Sequence, residues 1–211
     1  MLNIAVLVSG GGTNLQAIID RIEDGYLNNC RIAVVVSNKE DAYALQRAAN
    51  HNIPSAYLPK GSSSDEEYDN KLIEYLEPLH IELIVLAGFM CILGRDFINR
   101  YKDRIINVHP SLIPSFCGKG SYGIRPHKKV LEYGAKVTGA TVHFVELETD
   151  AGPIILQKAV EVKDGDTPET LQKRVMEEAE WKLLPEAIKL ISMNMIEKDG
   201  RKVRIKKQTE C

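Results

Sequence analysis

Apolar positions along the chain fall into short β-branched runs, separated by stretches in which they recur every three or four residues. Residues 4–8 form the first run. Gly10-Gly11-Gly12 follow, and Thr13-Asn14 open an amphipathic stretch over 15–23. Residues 32–37 predict a second strand, and 41–50 a helix with Ala42, Leu45, Ala48 and Ala49 to one side. A short third strand is expected over 55–58. Tyr68, Leu72, Tyr75, Leu76 and Leu79 then stripe a helix over 65–79. Residues 83–87 are almost wholly apolar, as expected of a strand covered on both faces. A short helix over 97–101 and a fifth strand over 105–108 complete the alternation. Strands separated by helices of this length require crossovers, so the pattern predicts an α/β, Rossmann-like fold: a mostly parallel twisted sheet with helices on both faces.

Past Pro110 the pattern changes. Residues 111–126 are rich in Gly and Pro and read as a long loop, of the kind that is usually functional or mobile. A helix over 128–132 and strands over 141–146 and 153–162 follow. Asp166-Thr167-Pro168-Glu169 is a helix start with Pro in the first turn. Leu171, Val175, Met176, Ala179, Leu183 and Leu184 make the buried stripe of the long helix it opens. Lys198-Asp199-Gly200 predicts a terminal hairpin. No repeat, low-complexity tract or linker is visible, so a single domain is expected, with 1–190 as its body and 191–211 as its hairpin and tail.

Composition narrows the function. The formal charge of −2 over 211 residues gives no reason to expect nucleic acid or an acidic membrane as partner, so an anion site would be built locally. The basic run Arg201-Lys202-Val203-Arg204-Ile205-Lys206-Lys207 reads as an edge strand blunted by charge. The apolar N-terminus meets Gly10 too soon for a membrane span and has no preceding Lys or Arg, unlike a signal peptide. Cys30, Cys91, Cys117 and Cys211 lack metal-site spacing and read as reduced thiols of a cytoplasmic protein without a metal.

Three segments carry chemistry. Ser9-Gly10-Gly11-Gly12-Thr13-Asn14 joins a strand to a helix, where backbone N–H groups can approach an anion. It lacks the Lys-Ser/Thr of a Walker loop, and Leu15 stands where a dinucleotide fingerprint needs its third glycine. A phosphate cradle remains, beside the alternative of a tight turn with Asn14 as helix cap. Asn107 and His109 alternate on one strand, so both project from one face near its C-terminal end. An amide donor beside an imidazole suits a reaction in which a carbonyl oxygen gains charge. Asp150 lies in a turn before Ala151-Gly152-Pro153; a carboxylate near His109 would raise the imidazole pKa and keep it a proton donor near neutrality.

Taken together, S-G-G-G-T-N at 9–14, V-V-S-N-K at 35–39, L-A-G-F-M at 86–90, I-N-V-H-P-S-L-I-P at 106–114, G-A-T-V-H-F-V at 139–145 and D-A-G-P-I-I-L-Q at 150–157 resemble the phosphoribosylglycinamide formyltransferases, folate-dependent enzymes of purine biosynthesis. The resemblance implies the formyltransferase fold and transfer of a formyl group from 10-formyltetrahydrofolate to the amine of glycinamide ribonucleotide, without metal. It implies that Gly12, Thr13 and Asn14 hold the substrate phosphate and that Glu180 contacts the substrate near its amine. Met90, Cys91, Ile92 and Leu93 would form the folate segment, with Asn107 contributing there too, and 146–150 further pterin contacts. Asn107, His109 and Asp150 would be the catalytic trio, and a monomer or homodimer is expected. Cys91 stands where many members have arginine, and Asp65 where a basic residue often touches folate, so the latter contact is not carried over. The loop 116–126 is longer than the family's glycine-histidine turn, and His127 is the match for its histidine. A methionyl-tRNA formyltransferase would be expected to add a C-terminal RNA-binding region, and a folate hydrolase a regulatory domain before the glycine turn. A non-catalytic nucleotide binder would have no reason to keep the trio.

Overall fold

A computed structural model describes residues 1–206; Lys207, which ends the basic run, and Cys211 lie outside the described residues. The chain alternates β1 (Leu2–Val8), α1 (Thr13–Glu23), β2 (Cys30–Ser37), α2 (Tyr43–Asn50), β3 (Ser55–Tyr57), α3 (Asp65–Leu76), β4 (Leu83–Leu86), α4 (Arg95–Arg100) and β5 (Ile105–His109). It continues with α5 (Arg125–Tyr133), β6 (Val137–Phe144), β7 (Ile154–Glu161), α6 (Pro168–Val175), α7 (Trp181–Ser192) and the hairpin strands β8 (Ile196–Asp199) and β9 (Lys202–Ile205). Seven strands form one sheet in the order β3-β2-β1-β4-β5-β6-β7. The described chain gathers into two compact units, Met1–Asn107 with Val145–Glu148, and Val108–Phe144 with the described residues from Thr149 on.

In the first unit every strand pair is parallel. Alternation along β1 explains why both faces are apolar: Ala5 and Leu7 pack with Tyr68, Leu72 and Leu76 of α3 and Phe97 and Ile98 of α4. Ile4, Val6 and Val8 project to the opposite face and are fully buried, as are Leu15 and Ile18 of α1. The helix expected over 65–79 ends as an α-helix at Leu76 and tightens into a 3₁₀ turn over Glu77–Leu79, which contains Pro78. Its start is a capping box in which Ser64 and Glu67 bond reciprocally to each other's backbone N–H.

The second unit is built on the antiparallel pair β6–β7. Helix α5 begins inside the expected loop because Pro126, lacking an N–H, costs nothing in a first helical turn. The long helix predicted from Pro168 is interrupted: α6 and α7 are joined by a π turn over Met176–Glu180, where the Trp181 N–H reaches back to the Met176 carbonyl. A π turn absorbs one extra residue in a helix, and such turns gather at functional sites. The terminal hairpin is present, with Asp199 opposite Lys202. No described helix is long and apolar enough to cross a membrane.

Candidate active site

The glycine turn lies in the first unit and is shaped by α2. Ala44 N–H donates to the Gly10 carbonyl at 3.1 Å, and Arg47 Nε–H donates to the Gly11 carbonyl at 2.8 Å. Gly12 adopts φ +70°, and a Cβ there would sit 2.7 Å from the Ala44 Cβ, so both conformation and space demand glycine. With these carbonyls turned toward α2, the turn is suited to offer N–H groups on its other side, as anion binding requires. The alternative in which Asn14 caps α1 does not hold. The cap is Gly12, without a side-chain bond, and Asn14 is buried within the first helical turn.

The segment after β4 begins at Gly88 in the left-handed region. Met90 and Ile92 are large apolar side chains with 46% and 58% of their surface exposed, whereas Leu93 is buried in the core with Phe97. Met90 and Ile92 therefore offer apolar surface to a ring, and Leu93 has only its backbone to offer. Cys91 Sγ accepts a hydrogen bond from Asn38 Nδ2 at 2.9 Å, and burial pushes its thiol pKa up. Asp65 is ion-paired with Lys60.

In the second unit, His109 and Asp150 meet. Asp150 Oδ2 lies 3.4 Å from His109 Nδ1 and accepts the Gly118 N–H at 2.9 Å. Its Oδ1 lies 3.7 Å from Nε2 of His143, whose Nδ1 is 2.8 Å from the Phe144 carbonyl and must donate to it. His109 Nε2 faces the Phe116 carbonyl at 3.4 Å. Asp150 and Phe116 both hold positive φ, +55° and +53°, a conformation that Asp tolerates and Phe rarely adopts. Burial, opposed by the nearby His143 ring, the charge of His109 and the Gly118 N–H, fails to lift Asp150, whose carboxyl ends below its ordinary value.

The expected rise of the His109 pKa is not found. Desolvation is the largest influence and lowers it, more than the Asp150 carboxylate and the Phe116 carbonyl raise it. In the ligand-free protein the imidazole is thus shifted toward the neutral form. His127, on α5, is completely buried; burial and the nearby His109 charge push it down to about 4.

The sequence motifs assign no role to the side chains that support this site. Thr141 and His143 share a face of β6, at i and i+2. Thr141 Oγ1 donates to the Ser111 carbonyl at 2.7 Å and accepts the Ile113 N–H at 3.1 Å, and Gln157 Nε2 donates to the Ile113 carbonyl at 3.0 Å. These bonds pin the Pro-Ser-Leu-Ile-Pro segment just after His109. Alternation in 139–145 was the available signal for Thr141 and His143. Asn107 is half-buried on β5, two residues before His109. Glu180 is a buried carboxyl at the end of the π turn.

The sheet is mostly parallel and β5 ends in the His109 of a buried His–Asp pair, an arrangement suited to group transfer at a carbonyl. A family model described as formyl transferase matches residues 2–188, and the chain belongs to the formyl transferase family. Within it, the likeness is to phosphoribosylglycinamide formyltransferases. That of Haemophilus influenzae is 43% identical over 190 residues, 90% of this chain and 86% of that protein. The trifunctional purine biosynthetic protein adenosine-3 of Gallus gallus is 44% identical over 93% of this chain, which spans 19% of that protein. The chloroplastic phosphoribosylglycinamide formyltransferase of Arabidopsis thaliana is 40% identical over 88% of this chain, which spans 63% of it. The crystal structure of glycinamide ribonucleotide transformylase 1 from Symbiobacterium toebii matches with a TM-score of 0.92 at 41% identity, over 98% of this chain and 95% of that one. A formyltetrahydrofolate deformylase from Pseudomonas syringae shares the fold at 26% identity and a TM-score of 0.87, over 98% of this chain and 66% of that one.

Proposed function

We propose that the protein transfers the formyl group of 10-formyltetrahydrofolate to the amine of glycinamide ribonucleotide, giving formylglycinamide ribonucleotide and tetrahydrofolate in de novo purine (IMP) biosynthesis. The observation that carries this reading is the buried His109–Asp150 pair, with Asn107 two residues earlier on β5.

The substrate amine attacks the formyl carbon, and the carbonyl oxygen becomes an oxyanion. Asn107 donates its amide to that oxygen, and His109 donates through Nε2. Because burial holds the resting imidazole toward neutrality, the developing negative charge itself, with Asp150 behind Nδ1, favours proton uptake as the intermediate forms. The proton lost by the attacking amine passes through water to the His109–Asp150 pair and from there to the folate nitrogen, which returns the pair to its starting state. The bond from the formyl carbon to that nitrogen then breaks, the oxyanion becomes a carbonyl again and tetrahydrofolate leaves. Gly12, Thr13 and Asn14 hold the substrate phosphate and Glu180 the region of its amine. The folate lies on Met90, Ile92 and the backbone of Cys91 and Leu93, with Asn107 reaching its formyl group. No step requires a metal or a covalent enzyme intermediate.

The same reading places residues 1–190 in one working formyltransferase domain with 191–211 as its hairpin and tail, acting in the cytoplasm as monomer or homodimer, without a nucleic-acid partner. The test is to follow folate turnover with and without glycinamide ribonucleotide. Turnover that depends on the amine supports the transferase. Equal turnover in its absence would instead mark a hydrolase of the kind that shares the fold.

A further inference from the structure

A single hydroxyl ties the segment after β4 to the glycine turn. Ser9, buried at the end of β1, accepts the Met90 backbone N–H at 2.8 Å and donates its own proton to Asn38 Oδ1 at 2.5 Å. Asn38, directly after β2, donates from Nδ2 to Cys91 Sγ at 2.9 Å. The bonds close a ring across the C-terminal ends of three adjacent parallel strands, running from Ser9 to Asn38 to Cys91 and back through Met90. The next two residues of the chain, Gly10 and Gly11, have their carbonyls held by Ala44 and Arg47. The far end of the segment is held by Asp69 of α3, which accepts the N–H groups of Gly94 at 2.9 Å and Phe97 at 3.1 Å. Between these anchors Met90 and Ile92 stay exposed, and neither has a side-chain polar group to fix its place.

We propose that Ser9, acting with Asn38, is a positioning residue for the folate segment Met90–Leu93, setting folate affinity from the strand that also carries the phosphate turn. This rests on the folate reading of that segment. An apolar ring gains affinity from a surface already held in its bound shape, since the ordering cost is then met in the free protein. Ser9→Ala removes the acceptor of the Met90 N–H and the donor to Asn38 together, so two part-buried groups lose these partners.

The experiment measures the Kd of tetrahydrofolate by calorimetry and steady-state kcat for Ser9→Ala, Ser9→Thr, Asn38→Ala, Met90→Ala and Ile92→Ala, each checked for folding by circular dichroism. Ser9→Ala is expected to weaken folate binding about tenfold and Asn38→Ala about threefold. At saturating substrates kcat changes little, and Ser9→Thr, which keeps the hydroxyl, recovers most of the affinity. Should Ser9→Ala not fold, Asn38→Ala at its half-buried site carries the test. If Met90→Ala and Ile92→Ala weaken binding while Asn38→Ala and a folded Ser9→Ala do not, the positioning role is overturned. It is overturned equally by a fall in kcat with unchanged Kd. If Met90→Ala and Ile92→Ala leave Kd unchanged, the folate reading of the segment fails, and the proposal with it.

Discussion

Asp150 grips His109 by Nδ1, at 3.4 Å, on the side of the ring away from Nε2. The carboxylate raises the imidazole pKa, yet burial lowers it further, so the resting ring lies below an ordinary histidine. The pair is therefore poised to gain a proton when negative charge arrives at Nε2, rather than charged in advance.

That balance can be read directly. In an NMR titration of the ligand-free protein, His109 should titrate below the 6.5 of an unperturbed imidazole. Asp150→Asn should move the midpoint further down, because the carboxylate is the group that raises it. Turnover should fall about 10²-fold or more in the same variant. A midpoint that rises in Asp150→Asn would contradict the assigned electrostatics.

Asn107→Ala removes a neutral donor to the oxyanion and should lower kcat about 10²- to 10³-fold. Circular dichroism should be unchanged, since the side chain is only half-buried on β5. A loss confined to KM would show that Asn107 binds ground state and transition state alike.

Gly12→Ala should raise the KM for glycinamide ribonucleotide and lower Tm together. Its Cβ would lie 2.7 Å from the Ala44 Cβ in a backbone at φ +70°. Gly10→Ala, where an added Cβ meets nothing within 4 Å, is the control and should have the smaller effect on Tm.

Away from the site, Arg174 grips Asp166 with two bonds of 2.6 Å. The Arg174 bonds, against some desolvation and aided by the Lys163 N–H and Thr170 hydroxyl, hold this carboxyl well below its usual 3.8. A depressed carboxylate pKa contributes stability above the unfolded value, which is lost as pH falls toward the folded one. Asp166→Asn should therefore lower Tm by roughly 2–6 °C at pH 7. The gap should narrow as pH falls below 3.8, which thermal melts across pH would show.

Much of the fold was legible because β1 and β4 are buried on both faces and read as unbroken apolar runs. The helix ending at Ser192 was legible as a stripe, but nothing in a three-to-four residue rhythm marks where the extra residue of the Met176–Glu180 turn enters. The trio's residues were visible through motif and resemblance. The protonation balance of His109 was not, because it depends on how deeply the folded chain buries the ring, which no local pattern reveals. Resemblance put Leu93 in the folate segment and its hydropathy agrees with that; only packing with Phe97 assigns its side chain to the core. His143 stands in G-A-T-V-H-F-V with no role legible from the motif, since Asp150 arrives beside it through a turn whose geometry the sequence does not express.

The most direct test of formyl transfer uses 10-formyltetrahydrofolate carrying carbon-13 in the formyl group, mixed with glycinamide ribonucleotide and the protein and followed by NMR. The label is expected to appear as a formamide on the glycinamide nitrogen, in step with tetrahydrofolate, and His109→Ala to nearly abolish this. Label released as free formate, at a rate indifferent to glycinamide ribonucleotide, would contradict formyl transfer.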